Sequence, residues 1–459
     1  MLSPLYKYSL ASLLTLAAIA LHQGAHVVDA ETVGPEIVTT AQIQAYADRA
    51  RSRNPGVKAR EAEAAAVRHA ASSIKTWEDP MLKLSGTQSS SDGPILREDG
   101  DLGYGLEQKL PLFGKARARI AAAEQEWKSA DLAVEYQVQI LRREIAKALF
   151  RVALESERIG LVSDDIGQLD LWLAIAERRH AAGTGGQIEL LRLRTERSKA
   201  RELLTTRQAE LSHEEATLNG LLNQDVETQL PRYALPPISQ ALPYSRALAD
   251  LAVRFEPKLR IMHQQTAAAE ARVEMARRER LPEVSVGIDG RQYSRDGGFR
   301  EGTFTVGLTL PWLNRQRYRH DILRARSDVE ATRFDTADYQ LKVREEIHLL
   351  CVKIDTARRE ALLYQDEILP RAEAMIGSAS GTWSAGLNSF NDLIEGRRLR
   401  TEARLMRTQA VGEQYQMLAE LVLSCGLADL DALDMFRAGT QGSAATSPLP
   451  PKSTNSPKP

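Results

Sequence analysis

A chain of 459 residues can hold two or three ordinary domains, and a net charge of −1 leaves no basic footprint for nucleic acid. Aromatic residues make up only 5% of the chain, thin for one large globular core but ordinary for coiled coils.

The chain opens with Lys7, an apolar stretch over residues 10–21 and the small-residue sequence Val28-Asp29-Ala30. That is the anatomy of a secretory signal peptide over residues 1–30, with a mature start at Glu31. An uncleaved anchor is the rival reading, but the apolar run falls short of the ~18–20 residues a spanning helix needs. No cysteine lies near Ala30, which speaks against a lipid-anchored N-terminus.

Two tandem repeats follow. Leu110-Pro111-Leu112-Phe113-Gly114 is echoed by Leu310-Pro311-Trp312-Leu313-Asn314. Asn54-Pro55 is answered by Glu256-Pro257, Asp79-Pro80 by Leu281-Pro282, and Ala182-Gly183 by Ala385-Gly386. Landmarks in one order and at one spacing define a duplicated unit, over residues 31–225 and 257–436. Each copy reads helix, strand pair, very long helix, helix. A proline-rich segment, 226–256, joins the copies, and residues 437–459 form a polar Gly/Ser/Thr/Pro/Lys tail expected to be disordered.

In the first copy, short alternating runs (Leu82, Leu84; Leu102, Tyr104, Leu106) predict two strands. The second copy repeats them more strongly with Val284, Val286, Ile288 and Phe304, Val306, Leu308, Leu310. Polar loops are expected over 89–100 and 291–302. Pro111 and Pro311 then close the strands and open helices. The first long helix spans about 115–180 without proline, and Val138, Ile145, Val152, Ile159, Ile166 and Leu173 recur in it every seven residues. That is the coiled-coil stride. Val343, Ile347, Leu350, Ile354, Ala357, Ala361, Tyr364 and Ile368 do the same in the second. A helix of roughly 65 residues is ~100 Å long, a rod that no compact domain needs. Each rod ends at a glycine-containing turn (181–186 and 381–388) and a second helix runs back.

Four strands with one apolar face leave two bare edges and are too few to close a barrel, which takes ~8 or more. The chain's own helices could cover them, but those helices are patterned for rods. Three chains pooling their strands would make twelve, an even-numbered barrel with an apolar exterior.

No enzyme constellation is present. His180, His213, His263, His320 and His348 are scattered without metal-ligand spacing, and Gly-Thr-Gly-Gly at Gly183 lacks the Lys-Ser/Thr of a phosphate loop. Pairing the second hairpin about residue 384 sets Cys351 opposite Met417 rather than Cys425, so two buried thiols are expected and no disulfide.

Leader, duplicated halves, strand pairs and the Leu-Pro-Leu-Phe-Gly-Lys opening of a long helix together resemble the TolC-like outer-membrane efflux factor family over residues 41–428. The resemblance implies a mainly α fold with a small β part: a homotrimer with a twelve-stranded barrel in the outer membrane and a twelve-helix tunnel in the periplasm. It also implies a periplasmic adaptor, an inner-membrane pump of the RND type, no cofactor and no catalysis. The sequence Phe113-Gly114-Lys115-Ala116-Arg117 is most similar to the heavy-metal cation efflux group, so metal cations or small toxic compounds are the expected cargo. A conduit for protein secretion shares the fold and stays open as an alternative. A periplasmic adaptor, the other alternative, would carry one hairpin between compact β domains.

In the family, two acids three residues apart line the constriction at the tunnel tip. Asp392 and Glu395 keep that spacing and share a helix face; the same acids would also suit an ordinary first turn. Glu189 occupies the matching place in the first hairpin, with Arg192 where the second acid would stand. The turn residues Gly183, Thr184, Gly386, Leu387 and Asn388 are where an adaptor would dock, and plain hairpin chemistry accounts for the glycines equally.

Overall fold

The computed structural model describes residues 34–88, 100–293, 298–385 and 390–434. The expected leader, the tail after 436 and the turn residues Gly386, Leu387 and Asn388 lie outside them.

The first copy contains β1 (Glu36–Ile37), α1 (Thr40–Arg53), α2 (Pro55–Ser73), β2 (Met81–Gln88), β3 (Gly100–Leu110), α3 (Lys115–Ala181) and α4 (Gln187–Leu221). After β4 (Tyr233–Ala234), the second contains α5 (Arg246–Phe255), α6 (Pro257–Glu279), β5 (Val284–Tyr293) and β6 (Phe299–Leu308). It ends with α7 (Arg315–Leu362), α8 (Leu369–Ser384) and α9 (Phe390–Ser424). The echoes are helix and strand boundaries. Asn54 caps α2 by accepting from the Gly56 amide at 2.8 Å, and Glu256 caps α6 by accepting from Leu259 at 2.5 Å. In each case proline follows as the first helical residue, where its missing N–H costs nothing.

The segment 226–256, expected as a linker or equatorial segment, holds short elements of its own: β4 pairs in parallel with β1, and α5 forms because Ser245 accepts from Leu248 at 3.2 Å. Strand boundaries of the second copy differ from expectation: β6 stops at Leu308, short of the expected Leu310. In the 291–302 region β5 and β6 run on to Tyr293 and from Phe299, since Arg291 pairs with Glu301 across the strands at 3.2 Å.

The four long strands form one antiparallel sheet in the order β2-β3-β5-β6. Register places Leu82, Leu106, Ile288 and Phe304 in one row across it. All four are more than half exposed, as are Leu84 and Val306. Tyr104 covers the bare backbone of its partner Gly290, where a Cβ would strike the ring. The opposite face is polar, with Lys83 on Glu107 and Thr305 donating to Asp289 at 3.0 Å. No helix covers the apolar face, and β2 and β6 remain unpaired edges among the described residues.

The helices stack into two antiparallel hairpins. α3 packs on α4, α6, α2 and α9, and α7 packs on α9 and α6. In α3 the heptad expected from 138 is joined by a second, Leu141, Ala148, Glu155, Val162, Leu169 and Ala176, all buried. The second rod is less regular than its sequence pattern. Its seam stays buried to Ala361, then loses burial through a π-helical turn, Leu363–Ile368, and resumes at Ala372. Pro370 explains the turn: its ring would clash with a carbonyl one turn back, and one widened turn removes the clash without breaking the rod.

Cys351 and Cys425 are both free and buried. Ser424 donates to Glu346 at 3.2 Å, a register that sets Cys351 opposite about residue 419, close to the expected Met417. Burial pushes the two thiols up to about 11 and about 12.

Candidate functional site

The candidate site is the end of the paired hairpins farthest from the sheet. α3 terminates because Gly183 adopts φ +74, a conformation open to glycine, while the Thr184 and Gly185 amides both donate to the Arg179 carbonyl, at 2.9 and 3.0 Å. The Thr184 hydroxyl is also spent inside this turn, on the same carbonyl at 3.1 Å. Gly183 and Thr184 are exposed, so their surface, more than their hydrogen-bonding groups, is available to a partner.

Asp392 and Glu395 stand in the first two turns of α9, both exposed, with no hydrogen bond or ion pair among the described residues. Their shared face lies opposite Leu393 and Ile394, which enter the core. Glu189 behaves differently. It accepts from the indole N–H of Trp383 at 3.1 Å, and Arg192 donates to Asn391 at 2.7 Å. The first hairpin's pair is therefore a strut against the second hairpin, while the second hairpin's pair is exposed, with Arg398 acting on Glu395 through charge alone.

Trp383 is the centre of that strut. It is 1% exposed, packed with Trp172, Leu193, Ile376, Phe390 and Leu393, and its ring and carbonyl both meet Arg179. Two turns further into the bundle lies a buried charge cluster. Arg397 of α9 makes a two-pronged contact with Asp165 of α3 (2.9 and 2.6 Å) and reaches Glu196 of α4 at 3.0 Å. Thr401 donates to Asp165 at 3.0 Å, and Arg398 to Glu196 at 2.9 Å. Burial opposes the charge of Glu196, but hydrogen bonds from Arg398, Lys199 and Arg397 outweigh it and hold its carboxyl at about 2. One guanidinium thus ties three helices together at one level.

The sequence reading missed Trp383, Arg397, Asp165 and Glu196. A signal was present: Val162, Asp165, Leu169, Trp172 and Ala176 step by three and four and are all buried, so an acid stands in an otherwise apolar series. Among the described residues no group of three His, Cys, Asp or Glu gathers as metal ligands.

Two tandem hairpins of this length, each preceded by a strand pair, with an uncovered apolar sheet face, define the fold of an outer-membrane efflux channel. They do not fit a periplasmic adaptor, which would carry one hairpin. The sequence matches the outer membrane efflux protein family over residues 46–224 and 248–427, one match for each copy, and the chain belongs to that family. It is 22% identical over 311 residues to the cobalt-zinc-cadmium resistance protein CzcC of Cupriavidus metallidurans, covering 67% of this chain and 72% of that protein. The fold superimposes on that of CusC with a TM-score of 0.75 at 15% identity, over 86% of this chain and 94% of the other. On the outer-membrane channel OprN the values are 0.72, 18%, 84% and 90%. On VceC of Vibrio cholerae they are 0.70, 16%, 84% and 96%. The chain is thus an outer membrane efflux protein by family, with the fold of solved outer-membrane channels.

Proposed function

We propose that three copies of this chain close a twelve-stranded barrel over a helical tunnel and passively conduct metal cations delivered by a periplasmic adaptor and an inner-membrane RND-type pump. The observation that carries the reading is the pair of free edges. β2 and β6 run in opposite directions, so β6 of one copy can pair antiparallel with β2 of the next until the ring closes. The helices support the same assembly. Leu323, Phe334, Leu341 and Val352 of α7 are exposed and separated by eleven, seven and eleven residues, nearly whole numbers of turns, so they form one apolar stripe. Metal as cargo is supported by the likeness to CzcC and by the exposed carboxylates at the tip. Gly183 and Thr184 form the surface offered to the adaptor; the other expected docking residues, Gly386, Leu387 and Asn388, lie outside the described residues. Amine crosslinking of outer-membrane fractions should give a three-chain product; recovery as a soluble monomer would sink the proposal.

Asp392 and Glu395 are the gate in this reading, six carboxylates around one constriction that favour cations. Glu189 contributes by holding Trp383 and with it the second hairpin. Replacing both Asp392 and Glu395 by alanine should lower cation over anion selectivity in planar bilayers several-fold. In a deletion strain the same variant should restore less resistance to zinc, cobalt and cadmium than the wild type. Unchanged selectivity would remove the two acids from the mechanism.

A further inference from the structure

We propose that the rim where the sheet meets the helices binds anionic phospholipid headgroups, with Arg315 and Arg319 contacting phosphate and Trp77, Phe113 and Trp312 seated at the membrane interface. The inference rests on the outer-membrane location and needs neither the gate nor the adaptor.

Level is the first argument. Leu110, Val284 and Leu308 form the last row of the sheet's apolar face. Immediately below it stand Trp77, Phe113 and Trp312, at 55%, 46% and 56% exposed. Large aromatic rings, two of them amphipathic indoles, at the lower border of an apolar band are the pattern of a membrane–water boundary.

Backbone strain is the second. Phe113 has φ 60 and is followed by Gly114 at φ 73. Glycine or asparagine takes this conformation readily, whereas a bulky side chain is costly there. The corresponding turn of the second copy, Pro311–Asn314, needs no positive φ. Arg278 of α6 donates to the Phe113 carbonyl at 3.4 Å and helps hold the turn. The turn thus keeps an exposed phenyl ring at the rim against a backbone preference that a smaller residue would satisfy.

Charge is the third, and it selects the lipid. At the start of the first rod two of the three cations are neutralised, Lys115 by Glu283 at 3.2 Å and Arg119 by Glu279 at 2.7 Å, while Arg117 between them is exposed without an ion-pair partner among the described residues. At the start of the second, Arg315 and Arg319 lie one turn apart, exposed and without an ion-pair partner among the described residues. Arg317 between them lies over Tyr318 and is 3.9 Å from Asp321. Guanidinium groups bind phosphate diesters in two-pronged fashion. A free collar of them beneath interfacial aromatics fits phosphatidylglycerol, which carries a net negative charge, better than phosphatidylethanolamine, which carries none.

The test uses the full chain purified in detergent, melted with added phosphatidylglycerol, phosphatidylethanolamine or inorganic phosphate. Phosphatidylglycerol should raise the melting temperature and the other two should not. In the Arg315→Gln/Arg319→Gln variant the apparent affinity for phosphatidylglycerol should fall roughly fivefold for each arginine, the equivalent of about 1 kcal/mol each, with the lipid-free melt unchanged. Phe113→Asn, which accepts the same backbone, should keep the lipid-free melt and weaken the lipid response. Equal responses to the two lipids, or a response to phosphate alone, would overturn the proposal. So would a lower lipid-free melt in the arginine variant, which would mark a contact between copies. Absence of the chain from the outer-membrane fraction would be a separate failure, that of the membrane reading itself.

Discussion

Replacing Arg397 by methionine is expected to destabilise the hairpin tips by about 3–5 kcal/mol, because buried Asp165 loses its two-pronged partner and Glu196 loses one of its three cations. The side chains of Arg397, Asp165 and Glu196 are 7%, 5% and 11% exposed, so water cannot replace the lost partner without opening the bundle. Limited proteolysis near residues 181–186 should accelerate, and resting conductance in planar bilayers should rise. Replacing all three residues by apolar ones of similar volume should recover most of the stability, since a removed charge cluster costs far less than a broken one. If the single variant melts like the wild type, the cluster does not hold the tips.

The same cluster predicts an acid response. Glu196 has a folded-state value depressed to about 2 from an ordinary 4.5. Its contribution is therefore complete above about 4.5 and is lost as the pH falls through about 2. In the Arg397 variant, with Arg398 and Lys199 still present, the loss should begin at higher pH.

Trp383→Ala should cost a similar amount, about 3–5 kcal/mol, through the cavity left by a fully buried indole. It also removes the Glu189 hydrogen bond and the ring against which Arg179 packs, so the two tips should separate. Trp383→Phe keeps most of the apolar contact and loses mainly the N–H, a change of about 1 kcal/mol. Spin labels on the two turns would read the separation. Equal distances in Trp383→Ala and the wild type would show that the tips are held elsewhere.

The rods were legible in the sequence because a seven-residue stride repeated many times leaves few alternatives, and α3 starts and stops within a residue of where its pattern does. The sheet was legible for the same reason, with its alternation set by apolar and polar faces. Proline marked the end of β3 and the starts of α2 and α6, but β6 stops at Leu308, short of Leu310 and Pro311, and no proline announced the π turn at Leu363–Ile368. There the seam residues Tyr364 and Ile368 continue a pattern that the backbone abandons to accommodate Pro370. At the tip, spacing placed Asp392 and Glu395 on one exposed face, yet it could not say that Glu189 would turn to Trp383. That depends on how two hairpins about 200 residues apart meet, which one helix's periodicity does not contain. Asp165 and Glu196 escaped for a related reason: a charge in an apolar seam is readable only once its counter-charge on another helix is known.

The two cysteines carry a practical consequence for anyone wiring reporters into this molecule. Both thiols are enclosed between α5, α7 and α9, and their burial keeps them protonated far above neutral pH. A maleimide added to the folded protein therefore finds no native target among the described residues. Any cysteine introduced at a strand edge or a hairpin turn becomes its sole address, with no need to strip the natural pair first.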